Sequence, residues 1–384
     1  VSGVLSLIAR HAAAGPWNIE PSLGVSADYD SDPGLRSYDI RAEEHVAALI
    51  DFPLRYDTDE LELTVRPSAR VSDTRGYDSL ASNYYHLDAD AVYRSDLWSA
   101  TLLGNLGRDS SLYFIGGLLN GLGVRRDTAD SSVDITRNLS ARSQLAIDAS
   151  WTEVRYAQPS DVTSVLTNYR YLTGGPTFEY SITERTILKL LGSASDYQSL
   201  NQNTQSKSYN AQLGVVRQLS ETWTVTITAG YVRAINSEKI FFGPFYLGTV
   251  KANENGDVYS ATLARQGERI NLSATASHSL QPTGLAFLSR VDSAAVTASL
   301  VQSEYWDYAL TASWQHAINP VLTGQAVNLH YLNVSLAANW HWTPQWTLGL
   351  NLGHIRQEYE PPRTNAASYA AVVSVTRRFL RREL

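Results

Sequence analysis

Apolar and polar residues alternate along most of this chain. In residues 221–233, ETWTVTITAGYVR, the positions Trp223, Val225, Ile227, Ala229 and Tyr231 alternate with Thr224, Thr226, Thr228 and Gly230. The same period runs through WNIEPSLGVSADYD from Trp17, WDYALTASW from Trp306 and WTLGLNLGHIRQEY from Trp346. A period of two makes a strand with one apolar and one polar face. These runs last about ten to fourteen residues, against about five or six for the usual strand of a soluble sheet. They match the length, about 9–11 residues, that crosses a bilayer at a tilt of ~45°. The polar face is Ser, Thr, Asn, Gln and Gly with few lysines. The apolar face begins or ends in Trp or Tyr, as an aromatic girdle at lipid headgroups does. Trp17, Trp98, Trp223, Trp306, Trp340, Trp342 and Trp346 are assigned to that girdle.

Short polar turns, such as SDL before Trp98, SET before Trp223 and TPQ before Trp346, precede the strands. Between them lie longer connections, near 72–82, 108–126, 157–166, 198–207, 234–256, 280–288, 317–327 and 359–367. Short periplasmic turns and longer extracellular loops are the arrangement of bacterial outer-membrane barrels. Closure follows, because an open sheet edge in lipid leaves backbone groups unpaired. The pattern predicts an all-β, transmembrane, antiparallel up-and-down barrel over residues 17–384, with about 18 strands and both termini periplasmic. Sixteen is the rival even count, roughly, because 126–138 and 166–181 alternate weakly. Ahead of the barrel, VSGVLSLIARHAAAG places Val1, Val4, Leu5, Ile8 and Ala12 on one helical face, so a short helix is expected over residues 1–16.

Composition removes other classes. No run of 18 or more apolar residues marks a helical span. The absence of cysteine excludes disulfide frameworks, thiolate metal sites and cysteine nucleophiles. A formal net charge of -7 argues against nucleic acid as partner. No nucleotide-binding, metalloprotease or nucleophile-elbow motif is present.

The last strand, ASYAAVVSVTRRF, alternates Tyr369, Ala371, Val373 and Val375 and reaches Phe379. It resembles the terminal strand signal by which outer-membrane barrels are recognised for assembly, although LRREL continues where such chains usually stop at the aromatic. The repeated hairpins with R/S-D-x-W or L-S-x-x-W-T turns resemble the β-barrel porin 2 family, whose members are associated with exopolysaccharide loci. The resemblance covers about residues 17–379 and implies a barrel linked to exopolysaccharide export.

The polar face would line the lumen. In the first strands it carries Glu20, Asp28, Asp39, Arg41, Glu43, Asp51, Glu62, Arg66, Arg70, Asp88 and Asp90, followed by Asp134 and Asp148. Later strands offer Thr224, Thr226, Asn333 and Asn351. Acids outnumber bases, which favours cations, and hydroxyls suit sugars. The alternative is a merely wetted lumen whose charges pair across neighbouring strands. Two connections are oddly apolar, 111–123 and 240–248. Their Tyr113, Phe114, Phe241, Phe242, Phe245 and Tyr246 are candidates for a constriction, or for strands that extend above the membrane and pack together.

Two constellations hint at chemistry. Asp28, Asp30, Asp32 and Asp39 have calcium-loop spacing, but Pro33 stands where such a loop needs glycine, so an Asp-rich hairpin tip is expected. His86, Asp88 and Asp90 share a strand face without any accompanying nucleophile motif and read as a polar ladder. No catalytic residue, metal site or cofactor is assigned. The expected function is a channel in the bilayer and its lipopolysaccharide, passing hydrophilic solute or exported polysaccharide. The alternative is a structural barrel that anchors or sheathes a periplasmic or surface partner, such as an electron carrier, a secreted fibre or a lipoprotein.

Overall fold

The computed structural model describes residues 17–32, 42–75, 83–110, 125–156, 167–200, 203–242, 245–282, 288–319, 327–360, 364–380 and 382–383. The N-terminal segment 1–16 expected as a helix lies outside them. Among the described residues every element is a strand. The chain runs through β1 (Trp17–Ile19), β2 (Ser22–Asp30), β3 (Glu43–Asp51), β4 (Leu54–Asp57), β5 (Leu61–Arg75), β6 (Tyr84–Arg94) and β7 (Trp98–Ser110). It continues through β8 (Arg125–Ser140), β9 (Ser143–Tyr156), β10 (Tyr169–Thr183), β11 (Thr186–Ser199), β12 (Thr204–Gln218), β13 (Trp223–Phe242) and β14 (Phe245–Arg265). The last are β15 (Ile270–Pro282), β16 (Leu288–Val301), β17 (Trp306–Asn319), β18 (Val327–Thr343), β19 (Trp346–Glu360), β20 (Thr364–Arg378) and β21 (Arg382–Glu383).

From β5 to β20 each strand pairs antiparallel with the next, and β20–β2, β2–β3 and β3–β5 close the ring. β2, β3 and the sixteen strands from β5 to β20 make a closed wall of eighteen staves. Pro21 and Pro53, which lack a ladder donor, interrupt the first two staves. β1 and β4 continue them on the short-turn side and pair with each other. β21 pairs with Asn18 and Ile19, so the residues after Phe379 prolong the wall instead of trailing from it.

The weak segments 126–138 and 166–181 are full staves, which removes the count of sixteen. Alternation is poor at Gly174–Pro176 because the backbones close in: a Cβ on Gly175 would stand 1.9 Å from the Gly192 carbonyl oxygen. The connection expected at 234–256 is instead a ladder from Arg233↔Asn255 to Phe242↔Phe245, with one register shift between Ile240 and Phe241. Both faces are polar along much of it, so the period of two carries no hydrophobic mark there.

The outer face decides the environment. Val25, Ile147, Leu190, Leu213, Ile227 and Leu350 all lie exposed on it, Leu213 to 69%. A continuous apolar belt of this kind is not sustained in water. It is solvated by hydrocarbon, and the chain is a transmembrane barrel of the bacterial outer-membrane type. Trp98, Trp223, Trp306, Trp340 and Trp346 ring its short-turn end. Trp306 stacks on Trp340 directly across the ladder, with centroids 6.0 Å apart. Arg137, Arg265 and Arg377 each lie over the tryptophan opposite in register, Trp98 at 4.9 Å, Trp223 at 5.9 Å and Trp346 at 5.5 Å. Trp17 sits lower, on the periplasmic extension, against Tyr56 at 5.4 Å, and Trp342 is largely exposed.

Candidate functional site: the lumen

The face opposite the apolar belt lines the lumen, and it differs around the ring. From β2 to β11 it is charged, and most charges meet a partner across the ladder. Asp28 pairs with Arg70 in a buried contact. Arg66 holds Asp51 through both carboxylate oxygens, at 2.6 and 2.9 Å. Glu62 accepts from Arg55 at 2.6 Å and lies 3.7 Å from Arg94. Arg126 grips Asp109 at 2.8 and 2.6 Å, and Glu179 meets Lys189 at 2.5 Å. Glu43 lies 3.3 Å from His45, and Glu20 at the periplasmic rim lies 3.7 Å from Arg378. Asp88 accepts from the Asn105 amide at 2.6 Å. Asp90 is exposed to the lumen, and Asp134 and Asp148 face each other in register. Asp39 and Arg41 fall outside the described residues.

From β12 to β19 the lining is hydroxyl and amide. Thr228, Ser260, Ser277 and Ser293 form an in-register row, with Thr228–Ser260 at 2.9 Å and Ser277–Ser293 at 2.8 Å. Thr226 is opposite Thr262, which bonds Thr275 at 3.1 Å. Thr224 and Asn333 are half-buried on the same face, and Asn351 accepts from Ser335 at 3.1 Å. At the periplasmic end this arc opens on a cavity of about 1010 Å³, whose lining includes Asn271, Ser273, Thr297, Ser299 and Thr311.

Higher up, the β15–β16 end narrows the lumen. Pairing between β14 and β15 stops at Tyr259↔His278, although both strands continue. Beyond His278 the β15–β16 end turns inward. Arg290 reaches the inner side of β14, 2.7 Å from Glu254, and donates to the Asn255 carbonyl at 2.9 Å. Its guanidinium lies 3.2 Å from where a Cβ on Gly256 would stand. Leu288, with Leu280 against it, packs into one buried cluster with Val154, Tyr156, Tyr169 and Tyr197. Leu288 is five strands from Tyr197 along the wall, so that packing crosses part of the lumen. Burial pushes the Tyr156 phenol up to about 12, which keeps it neutral inside the cluster.

Within 240–248, residues 240–242 and 245–248 belong to the ends of β13 and β14, with Phe245 and Tyr246 exposed to 70% and 57%. Phe241 and Phe242 end β13, and Tyr113 and Phe114 fall outside the described residues. The tyrosines were missed because the polar face of β9–β11 turns aromatic only at its extracellular ends. Counting parity from Leu145 or Leu190 would have put Tyr156 and Tyr197 inside.

The two chemical constellations are accounted for by packing. The Asp30 carboxylate takes hydrogen bonds from Ser368 Oγ and, at 3.0 Å, from the Asp32 amide, which ties the end of β2 to β20. His86 occupies space that a Cβ on Gly107 would fill, its Nδ1 2.8 Å from that position.

No family model matches the chain, and no curated protein matches it. Solved structures do. The outer membrane protein OpdK of Pseudomonas aeruginosa is 11% identical over 94% of this chain and 99% of that one, with a TM-score of 0.48. OccAB4 of Acinetobacter baumannii is 12% identical over 94% and 98%, at 0.45. Pseudomonas aeruginosa OccK2 (OpdF), solved in complex with glucuronate, is 10% identical over 95% and 98%, at 0.45. These values carry no argument about what passes through this barrel. The β-barrel porin 2 resemblance rests on the turn pattern alone.

Proposed function

We propose that this barrel is an outer-membrane channel for small hydrophilic solutes, with a preference for cations. The observation that carries the reading is the form of the lumen. A vestibule of about 1010 Å³ bordered by Asn271, Ser273, Thr297 and Thr311 lies below a cluster of tyrosines and Leu288 that narrows the lumen. A ring of eighteen strands leaves room for water, and the acids Asp90, Asp134 and Asp148 on one arc attract cations. The hydroxyls of the other arc replace part of a solute's hydration without fixing its charge.

Export of a polysaccharide, which the turn resemblance implies, requires the β15–β16 end to swing out of the lumen. The packing of Leu288 on Tyr197 favours small solutes over a polymer. The test is single-channel recording in planar bilayers under a salt gradient. Steady conductance with a reversal potential of cation-selective sign is expected. A silent barrel that copurifies with a protein partner would instead support an anchoring role.

A further inference from the structure

The outer face carries a row of titratable groups that the lumen does not use. Across six adjacent strands Tyr259, His278, Asp292, His316, His330 and Glu358 stand opposite one another in unbroken register. All share the lipid-facing parity of Leu263, Val296 and Trp314. His278 Nδ1 lies 2.6 Å from Asp292 Oδ1, and His316 Nδ1 lies 3.6 Å from Asp292 Oδ2. The rings of His316 and His330 stack at 4.3 Å, tilted by only 2°. Tyr259 stacks on His278 at 5.2 Å, and Arg356 reaches Glu358 at 3.7 Å.

Two independent observations set the height of this row. Ten residues separate Trp306 from His316, and ten separate His330 from Trp340. At about 3.3 Å per residue and a tilt near ~40°, that is about 25 Å, the height of the apolar band of such barrels. The β14–β15 ladder also ends at Tyr259↔His278. Unpaired backbone does not face hydrocarbon, so the hydrocarbon stops at this row. The row therefore meets the headgroups of the outer leaflet, where ionisable side chains cost least.

We propose that this row is a protonation-gated docking site for the phosphates of outer-leaflet lipopolysaccharide. Protonated imidazole presents two N–H donors to an anion, neutral imidazole only one. Stacked as closely as His316 and His330 are, two imidazoliums repel unless an anion lies beside them, and a lipid phosphate supplies it. The charged groups facing the pair from neighbouring strands are Asp292, which His278 engages, and Glu358, which Arg356 engages. Arg356 adds a cation at every pH. With its imidazoles protonated the row gains positive charge and holds phosphate. With the imidazoles neutral, Asp292 and Glu358 dominate and the anion is released.

The experiment measures binding of fluorescent lipopolysaccharide, intact or dephosphorylated, to the whole barrel in detergent at about pH 5.5 and about pH 8. Intact lipopolysaccharide is expected to bind about tenfold tighter at the lower pH. That gain should vanish for the dephosphorylated probe and in the H316Q/H330Q double variant, with folding checked by heat-modified gel migration. Should the double variant fail to fold, R356Q serves: it should weaken binding at both pH values and leave the pH dependence intact. An equal gain with the dephosphorylated probe, an undiminished gain in H316Q/H330Q, or equal affinity for phosphatidylglycerol micelles would overturn the proposal.

Discussion

The two arcs of the lumen use the same alternation for different ends. Along β2–β11 the inward positions are charged; Asp51–Arg66, Asp109–Arg126 and Glu179–Lys189 tie neighbouring staves together, and Asp28–Arg70 reaches across β3. Along β12–β19 they are hydroxyls that satisfy one another in rows. Ion pairs add little net stability, exposed ones under about 1 kcal/mol each and buried ones because desolvation offsets their attraction, and a cross-strand hydroxyl pair is worth about as little. Stability is therefore not what separates the arcs. The field is: paired charges cancel, hydroxyls make none, and the uncancelled acids of β6–β9 act over about 8 Å of lumen at physiological salt. The β15–β16 end belongs to the neutral arc and crosses to the tyrosines that border the charged one, so both arcs meet at the narrowing.

Breaking that meeting should give the largest effect. Trimming both sides with Tyr197→Ala and Leu288→Ala removes the packing across the lumen, and single-channel conductance should rise about twofold or more. Unchanged conductance would place the narrowest point elsewhere. Next in size is the loss of the field. With Asp90, Asp134 and Asp148 all changed to Asn, the cation-over-anion permeability ratio, read from reversal potentials, should fall about threefold. Arg66→Gln acts in the opposite sense. It frees Asp51 and should raise the ratio by less than about twofold, an effect that shrinks as salt is raised. Smallest is the neutral arc: Thr226→Val with Thr262→Val should leave selectivity alone and shift conductance by no more than about a fifth. A change of selectivity there would mean that the two arcs are not functionally distinct.

How far the sequence could be read follows the same division. Where one face meets lipid, as at Trp223–Tyr231 or Trp346–Leu352, the period of two is strong, and the eighteen staves are legible from it. Where strands leave the membrane the mark fades. The ladder 233–255 reads as a loop because water accepts both of its faces, and Tyr156, Tyr169 and Tyr197 are hidden among polar neighbours. The partners of the charges were legible in kind but not in pairing, because Arg66 bonds Asp51 on one side and not Asp88 opposite it on the other, which only the fixed register shows. The inward turn after His278 leaves no signal at all, since it depends on which ladder bonds are not made.

The seam between β2 and β20 has a consequence for assembly. It joins residues more than three hundred positions apart, as in the 3.2 Å contact of Ser31 with Ser368. Every other stave finds its neighbour close by in sequence, so sheet growth is a run of local steps, and only this last one is long in contact order. Closing the cylinder must wait for β20, and until then two strand edges stand open. The Asp30–Ser368 clasp at one end of the seam and the Asn18–Glu383 pairing at the other make it a two-ended latch, best followed as the slowest phase of folding into lipid vesicles.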